Sequence, residues 1–359
     1  MKLWSLFFVP LVLAYNLKSF PKINQLWKEK KILPLWLPIE NIKRVSSKVP
    51  KLITIHDESF ALYKDNNNNI QAIYDKCPHQ GASLSKGVIT PNNTLFCSYH
   101  GFEFVNGTFC RMPTTKYFKP TICVPRLHVY TDKNMVYVLP LINMNCNKQN
   151  ISNVPLPYTA PEHYNKSFKT IAGQKLIHQN SEIITENVLD MLHISFVHSF
   201  GNRVSPIPFN IVFNKTSNIS GKTTFKYFAG PTSISKQAAK ENVVLVENEF
   251  YLPSTTVTRV IAGKFIKTVI TKTLPIDDNT SIIFWELHRN FWIETLLANV
   301  VDFFLRLTME KTLQEDIDII STIDKDKRFF GINTTFDITI NKYRKYKDLY
   351  FENNKLNNI

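Results

Sequence analysis

The stretch CPHQGASLSKGVITPNNTLFCSYHG, from Cys77 to Gly101, limits what this chain can be more than any other part of it. Cys77 and His79 form a Cys-x-His pair, and after seventeen intervening residues Cys97 and His100 form a Cys-x-x-His pair. Two thiolates and two imidazoles on paired short loops suit a [2Fe-2S] cluster in which one iron takes sulfur ligands and the other nitrogen ligands. A lone Cys or His in a globular chain is usually a small buried group or a satisfied ring, and a four-coordinate zinc also accepts two of each. A glycine follows each pair closely (Gly81 and Gly101), which lets the backbone bend against a bulky inorganic group.

The segments CPHQGASLSKG and CSYHGFEF resemble the Rieske domain of Rieske-type non-haem iron oxygenases. The resemblance implies that Cys77 and Cys97 hold the outer iron, that His79 and His100 hold the inner one, and that the cluster passes single electrons.

With 359 residues the chain is long enough for two domains. Its 43 Lys and Arg against 29 Asp and Glu give a formal charge of +14, which fits a nucleic acid, a membrane surface in peripheral contact, or an acidic electron donor. No basic run interleaves with stacking aromatics, so nucleic acid is set aside. The five cysteines include the two in the motif; Cys110, Cys123 and Cys146 are unevenly spaced and are expected to be free.

At the N-terminus an uncharged run from Leu3 to Tyr15 follows Lys2, and a basic stretch comes next. The first is too short to span a bilayer comfortably and reads as a signal-peptide core. Together they resemble the two-part address of proteins sent into a complex plastid, the alternatives being a plain signal peptide leading to the endoplasmic reticulum, an uncleaved membrane anchor, or an ordinary buried N-terminal segment. The expected order is an address segment at 1–33, a small all-β Rieske domain at 34–142, a connector at 143–168, a catalytic domain at 169–335 and a basic tail at 336–359. Period-two runs before 140 mark the first domain. In the second, a helix through EIITENVLDMLHISFVHSF opens on Ser181 and carries an Ile184, Val188, Leu192 stripe. About six antiparallel strands follow, and then a long helix from near Phe291. The fold class is α+β, an antiparallel sheet gripped by helices.

The first of these helices carries Glu186, Asn187, Asp190, His193 and His198. Asp190 and His193 share a helix face. His193 and His198 stand about 140° apart on an ideal helix, so both reach one metal only if the helix unwinds after His193. A mononuclear iron site needs two imidazoles and a carboxylate on one side, with other positions left open. The family's D-x-x-H-x-x-x-x-H pattern maps its two histidine ligands onto His193 and His198, and its carboxylate onto Asp316 of QEDIDII. Spacing alone does not choose among Asp316, Glu315 and Asp318. As a residue beside a ligand, Asp190 would accept a proton from an imidazole. The resemblance implies more: Asp190 bridges His193 to His100 of the partner subunit in a head-to-tail homotrimer. Asn187 is expected to line the channel to the iron.

The resemblance implies an oxygenase that holds a [2Fe-2S] cluster and Fe(II), receives electrons from a separate ferredoxin or flavin reductase, and uses O2 on an apolar small molecule. The segments YHGFEF and FCRMP resemble the branch containing chlorophyllide a oxygenase and pheophorbide a oxygenase, which implies a chlorophyll-related tetrapyrrole as substrate. Gln80 stands where Arg is common in the family, and the end of the chain, KYRKYKDLYFENNKLNNI, lacks the hydrophobic segments and C-x-x-C pair of plant members. A sterol or aromatic hydroxylase or desaturase of the same family is the nearest alternative. A Rieske electron carrier or sensor, or a zinc-bound binding module, would be of another class.

Overall fold

The computed structural model describes residues 23–113, 122–143, 151, 153–293, 298–324 and 331–356. In chain order the first half comprises helix α1 (Ile23–Glu29) and strands β1 (Leu37–Asn41), β2 (Lys51–Ile55), β3 (Glu58–Lys64), β4 (Ile70–Tyr74), β5 (Val88–Ile89), β6 (Leu95–Phe96), β7 (Glu103–Val105), β8 (Thr108–Arg111), β9 (Arg126–Thr131) and β10 (Met135–Asn143). They form a six-stranded sheet, β1-β10-β9-β4-β3-β2, and a four-stranded sheet, β5-β6-β7-β8. Strand β10 is buried on both faces, with Val136, Tyr137, Val138 and Leu139 each at most 1 % exposed. Its run of apolar residues therefore belongs to a strand covered on both sides. Leu274 and Phe284, from the second half of the chain, share the same apolar cluster.

Residues from Ile23 onward pack into this core, so the folded part of the first half begins inside the segment expected at 1–33. Ile23 and Trp27 lie one turn apart on α1 and are 2 % exposed. Trp27 packs 6.1 Å from the Phe60 ring, and the Asn24 amide exchanges hydrogen bonds of 3.0 and 2.8 Å with the Ile142 backbone. The surrounding lysines hid this two-residue stripe. The Leu3 to Tyr15 run lies outside the described residues.

The second half has seven antiparallel strands, one more than expected: β11 (Lys169–Ile177), β12 (Phe209–Lys215), β13 (Ser220–Phe228), β14 (Val243–Tyr251), β15 (Thr255–Ala262), β16 (Phe265–Pro275) and β17 (Ser281–Arg289), in the order β11-β17-β16-β15-β14-β13-β12. Strand β11, KTIAGQKLI, precedes the first helix and pairs along its whole length with β17. As a half-exposed edge strand it lacks a clean apolar alternation, which is why the sequence did not announce it. The helices are α2 (Ser181–Leu189), α3 (His193–Val197), α4 (Ile234–Ala239), α5 (Ala298–Ile320) and α6 (Ile338–Leu356). The expected single helix after residue 181 is thus two, capped at its start by Asn180, whose side chain accepts the Glu182 N–H. Phe291 and Trp292 precede α5 in non-helical backbone, Trp292 at φ 53°. No helix among the described residues is long and apolar enough to cross a membrane.

Alternation divides the work of the second sheet's central strands. Thr258, Val260, Lys267, Val269, Thr271 and Leu287 line a cavity beneath the helices. Arg259, Thr268, Lys272, Glu286 and His288 point to the other face, where the described part of the connector lies. There Arg259 holds Glu162 at 2.8 Å and Tyr158 at 2.8 Å, Thr268 donates to Glu162, and His163 meets Glu286 at 2.8 Å.

The expected basic tail is helix α6, which is packed against the second sheet. Tyr343, Tyr346 and Tyr350 recur at helical spacing, and the first two set their rings edge-on to Phe250 at 5.7 and 5.3 Å. Such a pair is worth about 1 kcal/mol beyond the area it buries. Tyr343 is 2 % exposed and donates its hydroxyl to the Pro253 carbonyl at 2.8 Å. Arg344 clasps Glu186 of α2 with two bonds of 2.8 and 2.7 Å, and Lys347 pairs with Glu182. Cys123, expected to be free, is disulfide-bonded, whereas Cys77, Cys97 and Cys110 are free.

Candidate metal centres

The two Cys-His segments fold as matching loops. In the first, Cys77 N–H donates to the Ala82 carbonyl and Gly81 N–H to the Cys77 carbonyl, both at 2.8 Å. In the second, Cys97 N–H donates to Phe102 at 2.8 Å and Gly101 N–H to Cys97 at 2.9 Å. Gly81 and Gly101 close these turns at φ 74° and 69°, a region that favours glycine. At Gly101 a Cβ would also meet the Pro113 ring at 2.7 Å.

The loops place both thiols inside and both imidazoles outside: Cys77 and Cys97 are 3 % and 1 % exposed, while His79 and His100 are exposed. The two histidine Nδ1 atoms converge to 3.1 Å. Phe102 stacks on His79 at 4.6 Å and Tyr99 tilts over His100 at 3.8 Å, fixing the rings. Burial pushes the Cys77 thiol up to about 11, with Cys97 adding to the effect. Buried thiols of this kind become thiolates only against a metal's positive charge. Paired inner sulfurs and converging outer nitrogens fit the donor set of a [2Fe-2S] cluster of Rieske type.

The second centre forms where α2 ends. Asp190 is the C-cap of α2 and takes extended backbone angles, α3 runs from His193 to Val197, and His198 leaves it in extended conformation. The helix breaks before His193 as well as after α3, so Asp190 and His193 do not share a helix face. This corrects the expected contact between them: the His193 ring Nδ1 donates to the Asp190 backbone carbonyl at 2.7 Å. The Asp190 carboxylate instead accepts the Leu192 N–H at 2.7 Å and the His193 N–H at 3.4 Å. The bond to the carbonyl places the His193 proton on Nδ1 and leaves Nε2 as the acceptor.

His193 Nε2 and His198 Nε2 lie 3.2 Å apart, and each is 3.6 Å from Asp316 Oδ1. Asp316 is 8 % exposed, and its Oδ1 is buried without a hydrogen-bond partner among the described residues. Donors about 2 Å from a common metal stand about 3 Å from one another, so this orphaned oxygen and two imidazoles fit a mononuclear site. The neighbouring acids go elsewhere. Glu315 lies behind His198, its Oε2 3.2 Å from Nδ1, and Asp318 accepts from Gln314 on the exposed side of α5. Burial opposes the charge on Glu315, yet hydrogen bonds from Ser199 and His198 hold its carboxyl below the usual glutamate range. Burial also keeps His198 below the usual imidazole range against the pull of Asp316, so its nitrogen is available at neutral pH.

The triad opens into the cavity between the sheet and helices α2 to α5, whose walls include Val188, Val246, Ile194, Leu305, Met309 and Leu313. Val188 takes the wall position expected of Asn187, whose own carbonyl accepts the Asp190 N–H at 3.2 Å. Glu186 is turned away into its pair with Arg344. A second cluster of two histidines and a carboxylate, His163, Glu286 and His288, sits on the opposite sheet face. Its carboxylate is already engaged by His163 at 2.8 Å and the Lys272 ammonium at 3.4 Å, and it joins the connector to β16 and β17. Spacing left Glu315 level with Asp316, because a half-buried carboxylate behind a ligand looks the same in one dimension as the ligand itself.

The family model for the Rieske [2Fe-2S] domain matches residues 35–127, and that for the vanillate O-demethylase oxygenase C-terminal domain matches residues 177–347. Pheophorbide a oxygenase of Arabidopsis thaliana is 26 % identical over 235 residues, 60 % of this chain and 43 % of its own length. The protein TIC 55 of the same plant is 26 % identical over 170 residues, 45 % of this chain and 30 % of its own; both are chloroplastic, and the chain spans less than half of either. Dicamba monooxygenase bound to dicamba shares the fold with a TM-score of 0.72 at 19 % identity, over 88 % of this chain and 97 % of that one. With both domain models matched in order, and with each centre's donors gathered as described, the chain belongs to the Rieske-type non-haem iron oxygenases.

Proposed function

We propose that this protein uses O2 and electrons from a separate ferredoxin or flavin reductase to oxidise an apolar, ring-containing molecule, first among candidates a chlorophyll-related tetrapyrrole. The observation that carries the reading is the orphaned Asp316 oxygen beside His193 and His198 in the wall of an apolar cavity. Cys77, Cys97, His79 and His100 would hold the cluster, and His193, His198 and Asp316 the ferrous ion. The cluster supplies electrons singly and the ferrous ion a place to activate O2, chemistry that side chains do not perform. The chain's part is positional. The Asp190 carbonyl and the Glu315 carboxylate keep the two Nδ1 protons in place, so both Nε2 atoms face the cavity. The apolar walls exclude water from the reacting carbon.

The exposure of His79 and His100 supports a partner that covers them. In this reading Asp190 links His193 to His100 of the partner subunit in a homotrimer, and Asn187 steadies the turn that holds Asp190. The basic surface suits an acidic donor protein. Two chloroplastic relatives favour a plastid location, and pheophorbide a oxygenase favours the tetrapyrrole.

The test is the visible spectrum of the purified protein followed by single turnover. A red-brown protein whose reduced cluster is reoxidised by O2 when pheophorbide a is present, and not in Asp316→Asn, supports the reading. A colourless zinc-loaded protein overturns it, and reoxidation unaffected by Asp316→Asn reduces it to an electron carrier.

A further inference from the structure

Lys267 is out of place on its strand. The other charged side chains of β15 to β17 are paired: Arg259 with Glu162 and Glu249, Lys272 with Glu286, and Arg289 with Asp302 at 2.7 Å. Lys267 points to the helix-covered face and lines the cavity with the metal triad. Its cross-strand neighbours are Val260 on one side and Arg289 on the other, and Arg289 is already neutralised by Asp302. Among the described residues no carboxylate lies within ion-pair distance of Lys267. Asp316 is, among the described residues, the one acid in the cavity wall, and it belongs to the triad.

The ammonium's position relative to the metal centre is defined by one aromatic ring. Lys267 Nζ lies 5.8 Å from the Phe200 ring centroid, and Phe200 stacks on His198 at 4.9 Å and 17°. A molecule resting against Phe200 can therefore meet the ammonium at one end and the triad at the other. Lys267 is half-buried, and an ammonium drawn partly out of water with no counter-charge loses hydration. The burial felt at Lys267 indeed lowers its pKa, with no charged neighbour contributing. A lysine that merely lent its methylenes to the wall would turn its charge to open water. This one sets its ammonium toward the Phe200 ring in the cavity wall.

We infer that Lys267 is a specificity-determining residue that binds an anionic substituent, a carboxylate above all, on an otherwise apolar ring substrate. The inference rests on the proposed oxygenase reading for the word substrate, and on the cavity alone for the binding. Ion pairing would restore the counter-charge that the fold omits, and a hydrogen-bonded charge pair in such a site is worth about tenfold or more in affinity. It would also set the ring's orientation toward His193 and His198, because one end of the molecule is tethered.

The experiment measures equilibrium binding of pyrene-1-carboxylate and 2-naphthoate, each beside its methyl ester, by fluorescence titration of the full-length holoprotein. The acids are expected to bind wild type about tenfold tighter than the esters. Lys267→Met should remove that preference by weakening the acids alone, and Lys267→Arg should keep most of it. The cluster's visible spectrum reports that each variant is folded. His193→Ala should retain the preference, so the anion site can stand even if the iron assignment falls. Equal binding of acid and ester by wild type, absence of binding by both, or an acid preference that survives in Lys267→Met each overturns the inference.

Discussion

Glu315 lies behind His198 and offers the sharpest quantitative test of the iron site. Its carboxylate accepts the His198 Nδ1 proton at 3.2 Å and the Ser199 N–H at 3.3 and 3.4 Å. A hydrogen bond to a charged partner contributes about 1.5–3 kcal/mol and a neutral one about 1, so Glu315→Gln loses about 1 kcal/mol at these long distances. The Glu315 side chain is 19 % exposed and Lys311 offers a weak ion pair at 3.8 Å, which places the loss at the low end. Ferrous affinity should fall about fivefold. Glu315→Ala strands the Nδ1–H of a ring that is only 5 % exposed, a cost of about 2 kcal/mol or roughly thirtyfold. The assay is competition for Fe(II) with a calibrated chelator, read beside the cluster's visible absorption, which should not change in either variant. If both variants hold iron as wild type does, Glu315 does not orient His198 and the second centre has been misassigned.

Asp190→Asn keeps an oxygen to accept the Leu192 N–H, so the turn and both metals should persist while single-turnover oxidation of the cluster slows severely. Native rates at full iron occupancy would remove the subunit bridge, and an active monomer would remove the trimer. Burial, helped by the charge of Lys30, lowers His56 from 6.5 to about 4. The unfolded chain then takes up the proton first, so stability present above pH 6.5 should decline toward pH 4 by at most about 3 kcal/mol. His56→Asn, compatible with φ 48°, should flatten that part of a chemical-denaturation profile; an unchanged slope would exclude His56 as its source. Arg344→Met removes two charged hydrogen bonds to buried Glu186 and should cost about 2 kcal/mol in denaturation. A variant as stable as wild type would mean that the Arg344 clasp adds nothing to the hold of α6.

The candidate donors could be picked out as candidates because such chemistry demands particular side chains at particular intervals, which survive any rearrangement of the surrounding chain. The α+β class was legible for a similar reason, since strands such as β13 and β14 alternate over most of their length. What failed did so where one signal masked another. Lysines concealed the Ile23 and Trp27 stripe of α1 and the tyrosine stripe of α6, because dense charge drowns a narrow apolar periodicity. Edge strand β11 had no periodicity to read. The helix break at Asp190 was expected three residues later, because no Gly or Pro marks it and the capping role of an aspartate is visible only once its carboxylate meets the Leu192 N–H. The choice of Asp316 over Glu315 depends on which side of α5 each faces, and three consecutive acids give one-dimensional text no means of telling them apart.

The alternation of β15, β16 and β17 has a consequence for how such a protein can change over time. Residues facing the cavity and residues facing the connector alternate along the same strands, yet each set answers to a separate demand. A substitution at Val260, Val269 or Leu287 reshapes what can enter, while Arg259, Lys272 and Glu286 go on fastening the connector behind it. New specificities can therefore be explored one side chain at a time without loosening the joint between the two halves of the molecule. A slip of β16 by one residue is the one change this arrangement cannot absorb, since it would exchange both roles at once.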